Sequence, residues 1–411
     1  MLKYRQYKFL RGKMMQFNYK YSYIACCIGY ITQSIVINFM PLLFAMFATA
    51  YGITLDKIGL LITVSFIVQT SMDFAAAKYA DKFSLRALII FAHLAATSGL
   101  VLLSLAPVIS PDNIYPWLML SILPGSMGGG LTEVLLSPMV EAMPMKNKPG
   151  AMSILHSCYS WGHVLVTVIS TLFFVFIGMD KWSYLPILWA IIPFLNAIAF
   201  LKLPVYELDE DNQKTSMKEI LSTRIFWLFA ILMLGAGASE FAMSQWSSYF
   251  VEMGLKVSKT VGDLLGPCAF SALMGISRVV YSRCGAGLDL KKCITVCSFI
   301  TILCYGIATL SPYPMVSVVG CALCGFSVAI MWPGVYSLSA KMYAKGGTTM
   351  FAMLALAGDM GCTAGPGIVG YISNALGGDE FAIKCGLLCT IIFPVVMIFA
   401  VKKLKKQNVP Y

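Results

Sequence analysis

The stretch from Gly130 to Pro138 reads GLTEVLLSP, and the stretch from Gly325 to Pro333 reads GFSVAIMWP. Each begins with a Gly, carries a Pro eight positions later and lies inside a long apolar run. A second pair of segments, GITLDKIG and GLKVSKTVG, also agrees when one insertion is allowed. Because the members of both pairs occupy corresponding places in the two halves of the chain, they predict a duplicated unit.

The composition of the chain is typical of a membrane protein. Hydrophobic residues make up 58% of the 411 residues and charged residues only 12%, whereas a soluble protein of this length needs more polar surface. The apolar residues come in blocks of about twenty, long enough to cross about 30 Å of hydrocarbon as a helix. The sequence therefore predicts an all-α polytopic membrane protein with twelve transmembrane helices. The predicted spans are residues 21–45, 57–77, 86–107, 116–141, 151–176, 182–201, 225–250, 259–281, 292–311, 314–339, 348–374 and 383–401.

The longest polar interruption, from Leu203 to Arg224, divides the spans into two groups of six. Together with the repeated segments, this division predicts two pseudo-symmetric six-helix bundles, an architecture found in transporters. The expected organisation is a basic N-terminal tail, a first bundle, a central loop, a second bundle and a basic C-terminal tail. These parts are residues 1–20, 21–202, 203–223, 224–401 and 402–411.

The basic residues predict the orientation of the chain in the membrane. Only five of the 30 Lys and Arg residues fall in loops on one side, and the rest lie on the side of both termini. The five are Lys57, Lys181, Lys256, Lys259 and Lys384. Since cytoplasmic loops carry the excess of Lys and Arg, both termini are expected to be cytoplasmic. The net charge of +11 is thus explained by topology in a lipid bilayer and requires no nucleic-acid partner. The compact loops favour a bacterial plasma membrane, and a single chain of this kind can act as a monomer.

A short loop between the second and third predicted spans, AKYADKFSLRAL, resembles the signature loop of the major facilitator superfamily. The resemblance implies a latch between helices on the cytoplasmic side, and Asp73, eight residues before Asp81, is assigned to the same latch. The second half has a counterpart, GISRVVYSRCGAGLDLKK. The expected cytoplasmic gate consists of Asp73, Asp81, Lys82, Arg86, Arg278 and Asp289. The alternative is that these are solvated loop charges that merely follow the positive-inside rule.

A second resemblance, within that superfamily, is to the fucose:proton symporter group. It is carried by LTEVLLSPMVEAMPMKNKPGAMSILHSCYSWGHV and by the aromatic–Pro pair in the tenth span. The fourth-helix Glu of that group falls on Glu133, and a sugar-facing Gln of its fifth helix falls on His156. Where the symporters carry a proton-coupling Asp in the first helix, this chain has Gln33, which cannot take a proton. Either coupling differs here or another carboxyl group carries the proton.

Glu133, Glu240 and Asp359 lie within predicted spans, where acidic side chains usually mark ion or substrate paths. The alternative for each is a structural polar network between helices. His156 and His163 are seven residues apart, so they share one helical face with Tyr159. They are candidates for substrate contact or proton relay, and no ligand spacing for a metal accompanies them.

Amide and aromatic side chains in the spans favour a small polar solute as the transported substrate, with a sugar as the first candidate. Such groups bind hydroxyl groups and the apolar faces of sugar rings. The predicted contributors beside the acids and histidines are Gln33, Asn38, Gln245, Trp246 and Trp332. For the Trp residues the alternative is a place in the interfacial belt. A cationic substrate would also suit acids and aromatic rings, so efflux of cationic or amphipathic compounds is the competing hypothesis.

Motifs for other mechanisms are absent from the sequence. There is no Gly-rich phosphate loop, no nucleophile elbow and no Cys/His cluster with zinc spacing. The chain is therefore expected to be a secondary transporter without cofactor, and not an enzyme. It would be driven by a coupling ion, a proton or alternatively sodium, and would work by alternating access. Intramembrane Gly and Pro residues are expected to let two helices flex around the cavity. These residues are Gly130, Pro138, Gly325 and Pro333.

Overall fold

The computed structural model describes residues 19–79, 83–145, 148–206, 217–284, 289–343 and 347–404, and all regular structure in these ranges is helical. We number twelve long helices α1–α12. The first six are α1 (Tyr19–Ala50), α2 (Leu55–Tyr79), α3 (Leu85–Ile109), α4 (Tyr115–Ala142), α5 (Lys148–Phe176) and α6 (Tyr184–Phe200). The second six are α7 (Arg224–Gly254), α8 (Lys259–Asp263, Leu264–Cys268 and Ala269–Cys284), α9 (Leu290–Leu310), α10 (Pro314–Met342), α11 (Gly347–Ala375) and α12 (Glu380–Lys403). A short helix, Met217–Ser222, precedes α7.

Eleven of the twelve helices are long and apolar enough to cross a membrane, counting only the described residues. The exception is α6, which has 17 residues and spans about 26 Å at about 1.5 Å per residue. This length is slightly less than the ~30 Å hydrocarbon core. Its composition is nevertheless strongly apolar, and α6 packs against α1 and α3 as the sixth member of the first group. The predicted fold class, an all-helical protein with twelve transmembrane helices, is thereby confirmed.

Interruptions in α1, α10 and α12 each lie close to a proline. In α1 a 3-10 segment, Met40–Leu43, has Pro41 as its second residue. The break in α10 falls between Val328 and Met331, just before Pro333. The break in α12 falls between Cys389 and Ile392 and precedes Pro394. Proline removes a backbone donor and crowds the preceding turn, which explains where the regular helix is interrupted.

The two repeated segments behave differently in the structure. Pro138 lies inside α4, which runs from Tyr115 to Ala142 without interruption. Its counterpart Pro333 directly follows the break in α10. Of the two helices expected to flex, only α10 in the second half has an irregular backbone beside its repeated proline. At Gly325 the backbone of α10 touches that of α8, because an added Cβ would meet the carbonyl of Phe270.

Helix packing follows the same pattern in both groups of six. In the first group α1 packs on α5 and α6, α2 on α4, and α3 on α4 and α6. In the second group α7 packs on α11 and α12, α8 on α10, and α9 on α10 and α12. Adding six to each helix number of the first group gives the second. The packing therefore has the form of the duplication that the repeated segments predict.

The two groups meet mainly along two helix pairs, α2 with α11 and α5 with α8. Gly59 of α2 and Gly370 of α11 allow very close approach, since a Cβ built on Gly59 would lie 3.4 Å from the Cα of Gly370. We call the end of the bundle where α1 begins and α12 ends the terminal face. The end that carries the α1–α2 and α7–α8 connections is called the opposite face. The Gly59–Gly370 contact lies near the opposite face.

Candidate substrate-binding cavity

A cavity lies between the two groups of six helices. It contains about 480 Å³ of space free of protein atoms, part of it open to solvent. Its wall combines acids, amides, one guanidinium and aromatic rings. The lining residues are Tyr30, Gln33, Ile37, Phe66, Gln69, Glu133, His156, Tyr159, Glu240, Phe241, Arg278, Trp332, Asp359 and Cys362. A space of this size and lining suits a small polar solute.

On the first-half side of the cavity, Gln33 and Glu133 form a direct hydrogen bond. Nε2 of Gln33 donates to Oε2 of Glu133 at 2.5 Å, which links α1 to α4. Gln33 is buried, with 3% of its surface exposed, whereas Glu133 is half-buried at the cavity wall. The amide therefore fixes the position of the carboxyl group while leaving it within reach of the cavity.

On the second-half side, Arg278 and Glu240 form a buried ion pair, with 3.5 Å between Nη2 and Oε2. Arg278 also donates to the first half. Its Nη1 lies 3.0 Å from Oγ of Ser160 and 3.3 Å from the carbonyl oxygen of His156. A buried charge is tolerated when it is paired and hydrogen-bonded. Arg278 was predicted as part of a cytoplasmic gate, but the structure places it in the cavity wall, between the two halves.

Asp73 of α2 and Asp359 of α11 also face each other across the boundary between the halves. Their carboxyl groups are in hydrogen-bond contact, and each residue has 6% of its surface exposed. Asp359 lines the cavity, as does Gln69, one turn before Asp73. Asp73, which was assigned to the latch with Asp81, is therefore a partner of the predicted substrate residue Asp359.

A chain of hydrogen bonds supports Tyr159 at the cavity wall. Nδ2 of Asn38 donates to the Tyr159 hydroxyl at 3.1 Å. Nε2 of Gln245 donates to Oδ1 of Asn38, also at 3.1 Å. Among these three predicted residues only Tyr159 lines the cavity, and the two amides lie behind it. The chain joins α1, α5 and α7, so it crosses between the halves.

Ring-bearing side chains supply the remaining predicted contacts. His156 and Trp332 both line the cavity. The imidazole of His156 packs edge-to-face on Tyr30 with 5.1 Å between ring centres. Trp332 lies against α11 at Gly358, where there is no space for a Cβ. A flat solute could therefore be held against the ring faces of both halves.

Two residues predicted to contact substrate lie away from the cavity wall. Trp246 is fully buried, and its Nε1 donates to the carbonyl of Pro366 at 3.0 Å. His163 is buried between α5 and α8, where its Nδ1 lies 2.7 Å from Oγ of Ser271. Each of these side chains connects two helices: Trp246 joins α7 to α11, and His163 joins α5 to α8.

The remaining gate residues lie near helix ends. Nη1 of Arg86 donates to the carbonyl of Phe200 at the end of α6, at 2.5 Å. Asp289 caps α9 by accepting from the amides of Lys291 and Lys292. Such capping satisfies backbone groups at a helix start. Asp81 and Lys82 lie outside the described residues.

The sequence did not single out Gln69 and Tyr30 of the cavity wall, or a buried ionic cluster near the opposite face. In that cluster Nζ of Lys259 lies 2.9 Å from both carboxyl oxygens of Asp263, and Ser248 donates to the same carboxyl at 2.5 Å. Asp263 is completely buried. Gln69 could have been noticed as a polar residue in a span, four positions from Asp73.

A bundle of twelve helices in two equivalent groups, with a polar cavity between them, has the architecture of a secondary transporter. The sequence profile of the Major Facilitator Superfamily matches residues 23–366, and the chain belongs to this superfamily. The membrane protein MosC of Rhizobium meliloti is 23% identical over 351 residues, which are 84% of this chain and 83% of that protein.

Solved structures share the fold. A bacterial homologue of the human lysosomal transporter Spinster, in an inward-facing and unoccupied conformation, has a TM-score of 0.76 at 14% identity. The match covers 95% of this chain and 99% of that chain. The E. coli fucose:proton symporter FucP has a TM-score of 0.67 at 15% identity, with 95% and 100% covered. At these identities the likeness concerns the fold alone.

Proposed function

We propose that this transporter moves a small polar solute, with a sugar as the first candidate, through the cavity between its two halves in symport with a proton. The observation that carries the proposal is the Gln33–Glu133 hydrogen bond at the cavity wall. It places a carboxyl group, held by an uncharged amide, where both a solute and a proton can reach it. Acidic side chains in such places are typical of proton relays.

The wall of the cavity supports a polar solute with hydroxyl groups. Gln33, Gln69 and Tyr159 offer hydrogen-bonding groups, and Trp332 offers a ring face. Amides both donate and accept, so they match hydroxyl groups, which do the same. The fucose:proton symporter among the structural relatives is consistent with this substrate class, although that relationship concerns only the fold.

Alternating access is supported by the two pairs of helices that join the halves, α2 with α11 and α5 with α8. Rocking of one six-helix group against the other would open the cavity first to one face and then to the other. The terminal face would be cytoplasmic, because only five of the 30 Lys and Arg residues fall on the opposite side, among them Lys57, Lys181 and Lys256. We place the protein in a bacterial plasma membrane as a monomer.

A second candidate, efflux of cationic or amphipathic compounds, is favoured by the charge of the cavity region. Four carboxyl groups lie there, and Arg278 is the one guanidinium among the lining residues. The four are Asp73, Glu133, Glu240 and Asp359. Since Glu240 is already paired with Arg278, the remaining acids could attract an organic cation.

A thermal-stability screen separates the two candidates. Ligands that bind the folded state raise its melting temperature, so the purified protein is heated with a panel of neutral sugars and a panel of organic cations. We expect stabilisation by one or more neutral sugars, and counterflow of the labelled sugar in proteoliposomes. Stabilisation by cations alone would overturn the sugar proposal in favour of efflux.

A pair of Trp variants provides the control for the screen. Trp332→Ala removes a ring from the cavity wall and is expected to abolish stabilisation by the sugar. Trp227→Ala removes a ring of α7 that is 53% exposed on the outside of the bundle and is expected to leave it unchanged. Equal loss in both variants would count against the cavity as the binding site.

A further inference from the structure

The α2–α11 boundary contains two acids in direct contact, and one carboxyl oxygen of Asp73 accepts no hydrogen bond from any described donor. Asp73 and Asp359 are in hydrogen-bond contact through their carboxyl groups. Oδ1 of Asp73 is buried and has no hydrogen-bond partner. Nε2 of the neighbouring Gln69 is also buried without a partner. Polar atoms this deeply buried normally have partners, so the Asp73 carboxyl group has hydrogen-bonding capacity that no described side chain uses.

Two ionised carboxyl groups in contact repel each other, and burial strengthens the repulsion. A single shared proton turns the same contact into a strong hydrogen bond. A divalent metal ion is a poor alternative, because the described residues contain no group of three or more His, Cys, Asp or Glu side chains placed to hold one. One shared proton would supply the donor that the two carboxyl groups need.

Among the described residues, the surroundings of the pair add one acid and no direct cation. Glu133 of α4 interacts electrostatically with both Asp73 and Asp359, and Tyr336 of α10 and Cys362 of α11 are uncharged neighbours. Arg278 of α8 interacts electrostatically with Glu133 but forms its ion pair with Glu240 of α7. Neutralisation of the Asp73–Asp359 contact by a neighbouring side chain is therefore not seen among the described residues.

We propose that Asp73 and Asp359 together form a proton-binding site that joins the two halves. With one proton bound, the pair holds α2 against α11. Without it, the two carboxylates repel and this part of the boundary loosens. Proton loss and separation of the halves would then be the same event. The inference rests on the proposed function for its role in coupling, but the site itself can be tested without any solute.

Amide hydrogen exchange of the purified protein tests the site directly. Peptides covering residues 69–79 of α2 and 350–362 of α11 are followed at about pH 6 and about pH 8, and each rate is divided by the intrinsic rate at that pH. We expect corrected exchange at the higher pH to increase on the order of tenfold, which corresponds to about 1.4 kcal/mol. Equal corrected exchange at both values would overturn the proposal.

Two single variants identify the groups responsible. In Asp73→Asn the amide can donate to Asp359 without any added proton, so protection should stay high at both pH values. Asp359→Asn should behave in the same way and serves if the first variant fails to fold. Asp180→Asn, on an exposed acid of the α5–α6 connection, should keep the response of the unaltered protein. A pH response that persists in both Asp73→Asn and Asp359→Asn would exclude the pair.

The choice of ion is tested in the same experiment by replacing choline chloride with sodium chloride at the higher pH. A shared proton predicts no effect of sodium on the exchange of these peptides. Protection that returns with sodium, and is lost in Asp73→Asn, would show that the site binds sodium instead. Failure of the sugar screen would leave all of these results interpretable, because no solute is present.

Discussion

At the residue scale, the side chain that most limits the mechanism is Gln33. It occupies a first-helix position that would otherwise suit an acid, and it donates to Glu133. An amide cannot take up a proton, but it can orient a carboxyl group that does. Glu133 is therefore the one carboxyl group among the first-half residues that line the cavity, whereas Asp73 of the same half lies at the α2–α11 boundary. Proton binding at the first-half wall of the cavity would depend on Glu133.

Glu133→Gln keeps the size of the side chain and removes its ionisable group. We expect uptake driven by a pH gradient to fall by about tenfold or more, the change produced by about 1.4 kcal/mol. Counterflow of the same solute should continue, because exchange does not require net proton movement. Both rates are measured in proteoliposomes with the sugar identified by thermal stabilisation.

The control for this variant is Glu219→Gln, on an exposed acid of the short helix Met217–Ser222. It should leave both rates unchanged. If gradient-driven uptake by Glu133→Gln equals that of the unaltered protein, Glu133 is not the proton carrier.

Removal of Arg278 should destabilise the protein through the acid that it leaves behind. Glu240 has 4% of its surface exposed, and an unpaired buried carboxylate costs about 3 kcal/mol or more. Arg278→Ala should therefore unfold at a clearly lower temperature than the unaltered protein. The double variant Arg278→Ala with Glu240→Ala should recover part of the loss, because no unpaired charge remains.

Thermal unfolding in detergent completes this double-mutant cycle. Additive losses in the double variant would show that the ion pair contributes no coupling energy.

The sequence predicted the acids of the cavity better than its other residues. Glu133, Glu240 and Asp359 were recognisable because a carboxyl group inside an apolar run has few acceptable places. Arg278 was predicted as a gate residue because it lies near a predicted helix end, and the structure shows it in the cavity wall. Trp246 was assigned to the solute because of its type, whereas its direction depends on how α7 packs. Neither the place of Arg278 in the cavity wall nor the direction of the Trp246 side chain can be deduced from the local sequence.

At the element scale, the repeated glycines act through close packing between helices. Gly325 of α10 lies against the backbone of α8, where a Cβ would meet the Phe270 carbonyl. Gly130 of α4 approaches the backbone of α2 in a similar way, with 3.0 Å from a built Cβ to the Cα of Gln69. The motif therefore brings equivalent helix pairs together in both halves.

Two Gly→Ala variants separate packing from flexibility. Gly325→Ala should destabilise the protein by roughly 1–3 kcal/mol, because the α8–α10 contact must widen. Gly306→Ala, on α9, has open space around the new methyl group and should be neutral or stabilising by up to about 1 kcal/mol. Melting temperatures of the two purified variants provide the comparison. A Gly325→Ala variant as stable as Gly306→Ala would contradict the packing role.

The α5–α8 contact near the opposite face depends on Asp263. This buried carboxyl accepts from Thr171 of α5 at 3.4 Å, and Lys259, which pairs with it, lies 5.8 Å from the centre of the Phe174 ring. Asp263→Asn should weaken the cluster and increase amide exchange at residues 171–176 and 255–263. Exchange in α3, which does not belong to this contact, should not change and serves as the internal reference.

Unchanged exchange around residue 263 in Asp263→Asn would show that this cluster does not stabilise the α5–α8 contact. The burial of Asp263 results from the contact between two helices of different halves.

Helix number and order were predictable, but the rotation of each helix was not. Lipid is as apolar as the protein interior, so lipid-facing and buried sides do not differ in hydrophobicity as they do in soluble proteins. The position of Asn38 and Gln245 behind Tyr159 therefore follows from packing. Helix irregularities were predictable where a proline accompanied them, as in α10, but Pro138 shows that proline alone is not sufficient.

At the scale of the whole molecule, the duplication provides two equivalent boundaries for the proposed rocking motion. The boundary pairs α2–α11 and α5–α8 exchange with each other when each helix is replaced by its counterpart six positions away. Two equivalent boundaries on either side of one cavity allow rocking with little change within each half. The protonated Asp73–Asp359 contact would bias one boundary, and the Lys259–Asp263 cluster would bias the other. Protons and solute could thereby act on the same motion.

The central claim is that solute and proton move together through this cavity, and a pH electrode tests it most directly. The stabilising sugar is added to a weakly buffered suspension of proteoliposomes that contain the protein and no pH gradient. Symport predicts alkalinisation of the external medium as the sugar enters, and its loss in Glu133→Gln but not in Glu219→Gln. Acidification, or sugar entry without any pH change, would contradict the account.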